Sequence, residues 1–162
     1  MASLRKPYIY ILVAIVAAVL IIHFSGILNP TPLGLVITAS LKNSEIRMGQ
    51  NTTIVVTIEN KAMHLQTFEF HIVYTSKNLT YYNGITEEPL SEPVYNGGNY
   101  TIVYPNDDLG PNEKTELLVI VKGLLPKGAS SKRFTVFLEV YSLDGASKVL
   151  SDRKSVSLTV FR

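Results

Sequence analysis

The sequence contains no cysteine and no tryptophan among its 162 residues. Without cysteine the chain cannot form disulfides or be processed as a lipoprotein, and a zinc site would lack thiolate ligands. An exported domain must then be stabilised by its core alone, which suits bacterial or archaeal surface proteins better than small animal secreted domains. The Cys…Trp…Cys core of antibody domains is also excluded.

Charged residues are few, and neither sign dominates. Asp, Glu, Lys and Arg make up 17% of the chain and leave a net charge of +2. Lysines and arginines are scattered rather than grouped in a basic stripe, so nucleic acid is not expected as a partner. The nine tyrosines and the many Val, Ile and Thr residues favour β-strands.

One long stretch lacks charged residues altogether. Residues 8–28 read YIYILVAIVAAVLIIHFSGIL, and Arg5 and Lys6 precede them. About 20 apolar residues cross the hydrocarbon core as a helix, and the basic flank stays on the cytoplasmic side. We therefore predict a cytoplasmic N-terminus (1–7), a single transmembrane anchor (8–28), a Pro/Gly linker (29–34) and an extracytoplasmic domain (35–162).

A cleaved signal peptide is the alternative interpretation of the same stretch. Signal peptides have an apolar region of about 7–15 residues followed by a site of small residues. Here the apolar run is longer, its alanines lie inside the run, and His23 and Phe24 make a poor recognition pattern before Ser25. The length therefore favours an uncleaved anchor, with the domain held at the cell membrane.

The rest of the chain alternates between apolar and polar residues, which is the pattern of half-buried strands. The clearest case is the segment 68–74, where Phe and Ile alternate with Glu and His. Residues 117–121 are apolar on both faces, which predicts a central strand covered on both sides. Asp144 and Gly145 form a hairpin signal between two further runs. We predict an all-β, immunoglobulin-like antiparallel β-sandwich of about seven or eight strands.

The middle of the domain is the least regular part. Short strands are predicted at residues 79–82 and 100–104, joined by a loop (83–99) longer than an ordinary hairpin connection. Several glutamates lie in this loop, and we interpret them as exposed rather than as the paired carboxylates of a hydrolase. They are Glu87, Glu88 and Glu92.

Residues that could carry chemistry are sparse and dispersed. His64 and His71 lack zinc-protease spacing and are expected in a loop and on the solvent face of a strand. Asp107 and Asp108 are interpreted as turn residues, with calcium binding as the alternative. The sequence contains no Gly-x-Ser-x-Gly elbow. We expect no enzyme activity, no catalytic residue, no metal and no cofactor.

Two groups of residues are candidates for surface roles. Sequons begin at Asn51, Asn78 and Asn99, which are candidate glycosylation sites if the domain is exported. Tyrosine is common at protein interfaces, so the tyrosines between residues 81 and 104 are candidate interface residues, with packing inside the sandwich as the alternative. These tyrosines are Tyr81, Tyr82, Tyr95, Tyr100 and Tyr104.

The chain resembles the archaellum accessory proteins FlaF and FlaG of archaea in length, anchor position, lack of cysteine and a strand-rich part beginning near Gly34. That family has one N-terminal membrane helix and an external β-sandwich, and links the rotating machine to the surface layer. The resemblance implies a stator or anchoring component that binds the surface layer or another envelope protein, with a homodimer or a second β-sandwich subunit as a further partner. The resemblance rests on no short motif, so it assigns no residue a role. The anchor segment also lacks a clear pilin-type processing site.

A second resemblance covers the middle of the domain. Residues 54–60, 68–74 and 82–84, followed by 109–113 and 117–121, are similar to the strand–Asn–strand–Asn-Gly rhythm of LEA-type and WHy-like immunoglobulin-like surface modules. This resemblance implies a fold rather than a function.

An accessory subunit of a membrane enzyme complex, such as a respiratory oxidase, is the alternative function. Its helix would pack against other membrane helices, and the sandwich would cap the external face. The sequence has no cluster of Cys, His and Met that could bind copper, so the chain itself would carry no electrons.

Overall fold

The computed structural model describes residues 34–162, and this part of the chain forms β-strands and no helix. No segment of it is therefore a helix long and apolar enough to cross a membrane. The predicted cytoplasmic residues and the anchor lie outside the described residues. The strands are β1 (Leu35–Leu41), β2 (Glu45–Arg47), β3 (Asn51–Asn60), β4 (Gln66–Tyr74), β5 (Leu79–Asn83), β6 (Val94–Asn96), β7 (Asn99–Leu109), β8 (Lys114–Gly123), β9 (Ser131–Asp144) and β10 (Ser147–Phe161).

The strands form two sheets around one core. The four-stranded sheet has the order β1-β3-β8-β5, and the six-stranded sheet has the order β2-β10-β9-β4-β7-β6. Strand pairs are antiparallel except β2 and β10, which run parallel. The all-β, two-sheet prediction is confirmed. The expected strand number was too low, because β2 and β6 have three residues each, which is too short for alternation to be recognised in the sequence.

Alternation places one face of each long strand in the core. The predicted inward residues Ile54, Val56 and Ile58 of β3 are fully buried, and Phe70 and Ile72 of β4 are buried in the same core. The strand β8 lies inside its sheet, as predicted. Its outward residues Leu118 and Ile120 are only half-buried, so the prediction that both faces of this strand are covered was wrong.

Asn60 joins two turns at one end of the sandwich. Its side chain is fully buried. The two hydrogens of Nδ2 are shared among the carbonyls of His64, Leu109 and Gly110, which lie 2.8, 2.9 and 3.1 Å from the nitrogen. The Oδ1 atom accepts a hydrogen bond from the Ala62 N–H at 2.9 Å. One amide therefore connects the turn after β3 with the turn after β7.

The strand β7 continues where a turn was predicted. Pro105 lies in a β-bulge between the cross-strand pairs Phe70–Tyr104 and Phe68–Asp107. Proline lacks an N–H donor and is tolerated in strands at bulges or edges, so it interrupts the sequence pattern without ending the strand. Asp107 and the aspartate after it are exposed strand residues, and their interpretation as turn residues was wrong.

The segment between β5 and β6, residues 84–93, lies along the edge of β5, and we call it the strap. The N–H of Leu90 donates to the Tyr81 carbonyl at 3.1 Å. At the start of the strap, the N–H of Gly84 donates to the Leu118 carbonyl at 2.7 Å. A Cβ atom at residue 84 would lie 2.5 Å from that carbonyl oxygen, so the close approach requires glycine.

Candidate interaction face

The outer face of the six-stranded sheet carries charged and aromatic side chains from three neighbouring strands. The register places Glu69 of β4 opposite Tyr141 of β9, and His71 opposite Glu139. It also places Arg153 of β10 opposite Glu139. Since alternate residues point outward, these side chains share one surface, which we call the interaction face.

At one end of this face, Glu69 contacts both His71 and Lys148. Lys148 Nζ also lies 2.9 Å from His71 Nε2. Partial burial acts to raise the pKa of Glu69, but the hydrogen bonds from Lys148 and His71 outweigh it and hold the pKa below its usual value. His71 is on the outward face, as predicted, but it is only 9% exposed because its neighbours cover it.

A second group lies beside the first. The Tyr141 hydroxyl donates a hydrogen bond to Glu139 at 2.7 Å, and Arg153 Nε lies 3.1 Å from Glu139. Burial and the bond to Glu139 raise the pKa of Tyr141 to about 12. The hydroxyl therefore stays protonated near neutral pH and can donate a hydrogen bond. The Arg153 guanidinium is 4.1 Å from the centre of the Phe137 ring. Arginine and tyrosine are enriched among the residues that contribute most to binding at protein interfaces.

Next to these groups the face is concave. A groove of about 450 Å³ is lined by residues of β4, β6, β7, β9 and β10. Its apolar lining includes Val73, Val94 and Val103, of which Val94 is 64% exposed and Val103 38% exposed. The strand β6 is the last strand of the sheet, so its outer backbone groups have no neighbouring strand within the described residues.

The five candidate tyrosines lie in different environments. Tyr95 is 63% exposed, whereas Tyr82, Tyr100 and Tyr104 are half-buried. Tyr81 is 5% exposed and belongs to the hydrophobic core, so the expectation of an interface role is corrected for this residue. Its position on the inward face of β5 gives the physical reason.

Four tyrosine rings form a row from the sheet edge to the core. The ring centres of Tyr95 and Tyr100 are 4.8 Å apart, those of Tyr100 and Tyr74 are 5.4 Å apart, and those of Tyr74 and Tyr81 are 4.7 Å apart. These distances are typical of favourable aromatic pairs. The outermost ring, Tyr95, is the most exposed of the four and lies at the sheet edge, on the face opposite to the groove.

The other candidate residues are dispersed over the surface. Asn51 and Asn99 are exposed and Asn78 is half-buried, each at or near the start of a strand. Asn99 also lines the groove, so a glycan there would stand at its rim. His64 is exposed in a loop, and the three glutamates of the strap are exposed, as predicted. Within residues 34–162, no group of three or more His, Asp or Glu side chains could hold a metal ion.

The sequence reasoning missed Glu139, Tyr141, Lys148 and Arg153. The available signal was their position among the alternate, outward-facing residues of the long strands β9 and β10. The alternation of inward and outward residues does not show which strands are neighbours. In addition, a bulge between Leu150 and Asp152 shifts the register of β10. The grouping of these side chains therefore depends on strand pairing.

No family model and no curated protein matches this sequence. Several solved structures are similar in fold. The fragment of native alpha-2-macroglobulin from Escherichia coli that spans domain MG7 to the C-terminus has a TM-score of 0.52 and 13% identity, over 79% of this chain and 17% of that one. A cohesin module of a family 33 glycoside hydrolase from Clostridium perfringens has a TM-score of 0.51 and 14% identity, over 77% of this chain and 95% of that one.

The alkylpurine DNA glycosylase AlkC of Pseudomonas fluorescens has a TM-score of 0.48 and 11% identity, over 80% of this chain and 31% of that one. This chain therefore spans less than a third of the glycosylase and less than a fifth of the macroglobulin fragment. At such identities the likeness concerns the fold alone. The chain has an all-β sandwich fold similar to that of the cohesin module.

Proposed function

We propose that this protein is a non-enzymatic, membrane-tethered binding protein that uses the interaction face to hold another protein. In its specific form, residues 8–28 anchor the chain with the N-terminus in the cytoplasm, and residues 35–162 stand outside the membrane. The partner is a surface-layer protein, and the role is that of an archaellum stator or anchoring component. The resemblance described above supports this form.

The groove beside the free edge of β6 is the observation that carries the proposal. Exposed apolar side chains grouped in a concavity are favourable sites for a partner, and Val94, which is 64% exposed, lines this groove together with Val103, which is 38% exposed. An extended segment of the partner could add to β6 and continue the six-stranded sheet through backbone hydrogen bonds. Arg153, held by Glu139 and stacked on Phe137, would contact the same partner.

The charges of the face favour specificity over long-range attraction. Lys148 is paired with Glu69, and Arg153 is paired with Glu139, so the described network is close to neutral. A neutral network gives little electrostatic steering. We therefore expect binding to depend on the fit of the groove and only weakly on salt concentration.

The test is direct binding between the full chain in a mild detergent and purified surface-layer protein of the source organism. Val94→Asp should weaken binding by about tenfold or more, because it places a charge in the apolar part of the interface. Val149→Asp is the matched control, since Val149 is 61% exposed and pairs with Ser142, which faces away from Tyr141.

Equal binding by the two variants would contradict the assignment of the face, and no binding by the unaltered chain would contradict the surface-layer partner. Retention of cofactor-bearing membrane subunits on the full chain, unaffected by Val94→Asp, would instead support the accessory-subunit alternative.

A further inference from the structure

A cavity separate from the interaction face lies between the two sheets, beside β5. It has a volume of about 340 Å³ and is lined by residues of β4, β5, β7, the turn between β4 and β5, and the strap. Its aromatic and aliphatic lining includes Tyr74, Leu79, Tyr81, Leu90, Tyr100 and Ile102. This size is at the lower end of the range for small-molecule pockets, about 300–1,000 Å³.

A second cavity adjoins the first under the same strap. It has a volume of about 380 Å³, and Tyr104, Asn83 and Thr86 are among its lining residues. Leu90 and Ile102 line both cavities. The two spaces are therefore neighbouring parts of one cleft, which the strap partly covers.

Each cavity includes a tyrosine whose hydroxyl is buried without a hydrogen-bond partner in the described part of the chain. These are Tyr81 in the first cavity and Tyr104 in the second. A buried hydroxyl without a partner is unfavourable, and such groups are rare in folded proteins. Burial raises the pKa of Tyr104 to about 12, and burial together with Tyr74 raises that of Tyr81 well above 10, so both remain protonated donors.

We propose that this cleft binds a neutral, flat ring compound that carries a hydrogen-bond acceptor. The rings of Tyr74 and Tyr100, which stack on each other, form an aromatic wall of the first cavity that a flat ring could pack against, and the hydroxyls of Tyr81 and Tyr104 would donate to the acceptor.

The charged side chains of the cleft do not favour an ion. Lys77 and Glu92 belong to the first cavity and Glu88 to the second, and all three side chains are exposed at the rim. Their signs are mixed, and the buried lining is uncharged. A charged ligand would lose its hydration without gaining a buried partner, whereas a neutral ring would not.

The experiment uses coumarin as the probe, because it is a neutral fused ring with a lactone carbonyl. The full chain, labelled with ¹⁵N in a mild detergent, is titrated with coumarin, and empty micelles control for partitioning of the probe. We expect chemical-shift changes centred on the amides of Tyr81, Leu90 and Tyr100, with a dissociation constant on the order of 1 mM for a ligand of this size.

The hydroxyls are tested by Tyr81→Phe and Tyr104→Phe, which keep the rings. Each should weaken coumarin binding by about three- to tenfold, the usual effect of one lost hydrogen bond. Neither variant should lower the melting temperature, because each removes an unpaired buried group. Tyr141→Phe, on the interaction face, is the matched control and should bind coumarin as the unaltered chain does.

Two results would overturn the proposal. One is the absence of shifts at the cleft when shifts from micelle partitioning have been subtracted. The other is unchanged binding by the Tyr81→Phe, Tyr104→Phe double variant, which would show that the hydroxyls do not contact the ligand. Both readouts are independent of the protein partner of the interaction face.

Discussion

At the scale of single residues, Asn60 is a buried polar side chain that connects two turns of the described fold. Asn60→Ala would remove the hydrogen bonds that Nδ2 shares among three carbonyls and the one that Oδ1 accepts from the Ala62 N–H, all at a fully buried residue. We expect the free energy of unfolding to fall by about 3 kcal/mol, as measured by urea denaturation. Asn106→Ala is the control, because Asn106 is exposed and should change stability by less than about 0.5 kcal/mol. A loss below about 1 kcal/mol for Asn60→Ala would show that solvent replaces these bonds.

The lowered pKa of Glu69 predicts how the stability of the protein depends on pH. Its pKa in the folded protein lies below the usual value of 4.5, because the bonds from Lys148 and His71 outweigh the effect of partial burial. A lowered carboxylate pKa contributes stability above the unfolded value, and this contribution is lost as the pH falls through the folded value.

Glu69→Gln should therefore flatten the decline of the melting temperature between about pH 5 and pH 3. Glu116→Gln is the control, since Glu116 is exposed on the other sheet. If both variants keep the decline of the unaltered chain, other carboxylates control the acid transition.

At the scale of elements, β10 is an edge strand that is protected by charge. It pairs with β2 only at residues 159–161, so most of its outer edge is not paired with another strand in the described structure. Lys154 Nζ lies 3.5 Å from Asp152 Oδ2 on this strand. The Asp152 carboxylate also accepts a hydrogen bond from the Ile37 N–H of β1 at 2.9 Å. Charged residues at such positions discourage pairing with other chains.

Asp152→Ala should lower the free energy of unfolding by about 1–2 kcal/mol and increase self-association, because the Ile37 N–H and the strand edge become free. Urea denaturation and sedimentation velocity would measure the two effects. Asp152→Asn keeps an acceptor oxygen, so it should retain more stability than the alanine variant. Equal losses for the two variants would mean that the contact with Ile37 contributes nothing.

The elements also show where sequence patterns succeed. Long alternating strands such as β3 and β4 were predicted because their burial is periodic along the chain. The strand β7 was predicted too short, because its bulge at Pro105 removes a donor and shifts the period. The strand β6 was read as loop, because all three of its residues are exposed.

At the scale of the whole described domain, both sheets share one core, and Phe70 is its largest fully buried side chain. Phe70→Ala should lower the free energy of unfolding by about 3–5 kcal/mol. The far-ultraviolet signal of the strands and the near-ultraviolet signal of the tyrosines should still change together, as expected for one cooperative unit. Met63→Ala is the control, because Met63 is 81% exposed. Two separated transitions would show that the sheets unfold independently.

The interaction face and the cleft could not be predicted in the same way as the strands. The sequence indicates that residues 69 and 71 point outward, but not that residues 139, 148 and 153 lie beside them. It also placed Tyr81 among surface candidates, although β5 turns this residue into the core. Cross-strand neighbours are far apart in the chain, so no local pattern encodes them.

The sequence by itself determined the lack of disulfides, the position of the charge-free stretch at residues 8–28, and the all-β character of the domain. These properties depend on composition and on the two-residue period of a strand, which are local. Only the tertiary structure decided which side chains form the interaction face and which tyrosine hydroxyls are buried beside the cleft. Sheet order, register and bulges control those choices, and they result from long-range pairing and the packing of two sheets around a shared core.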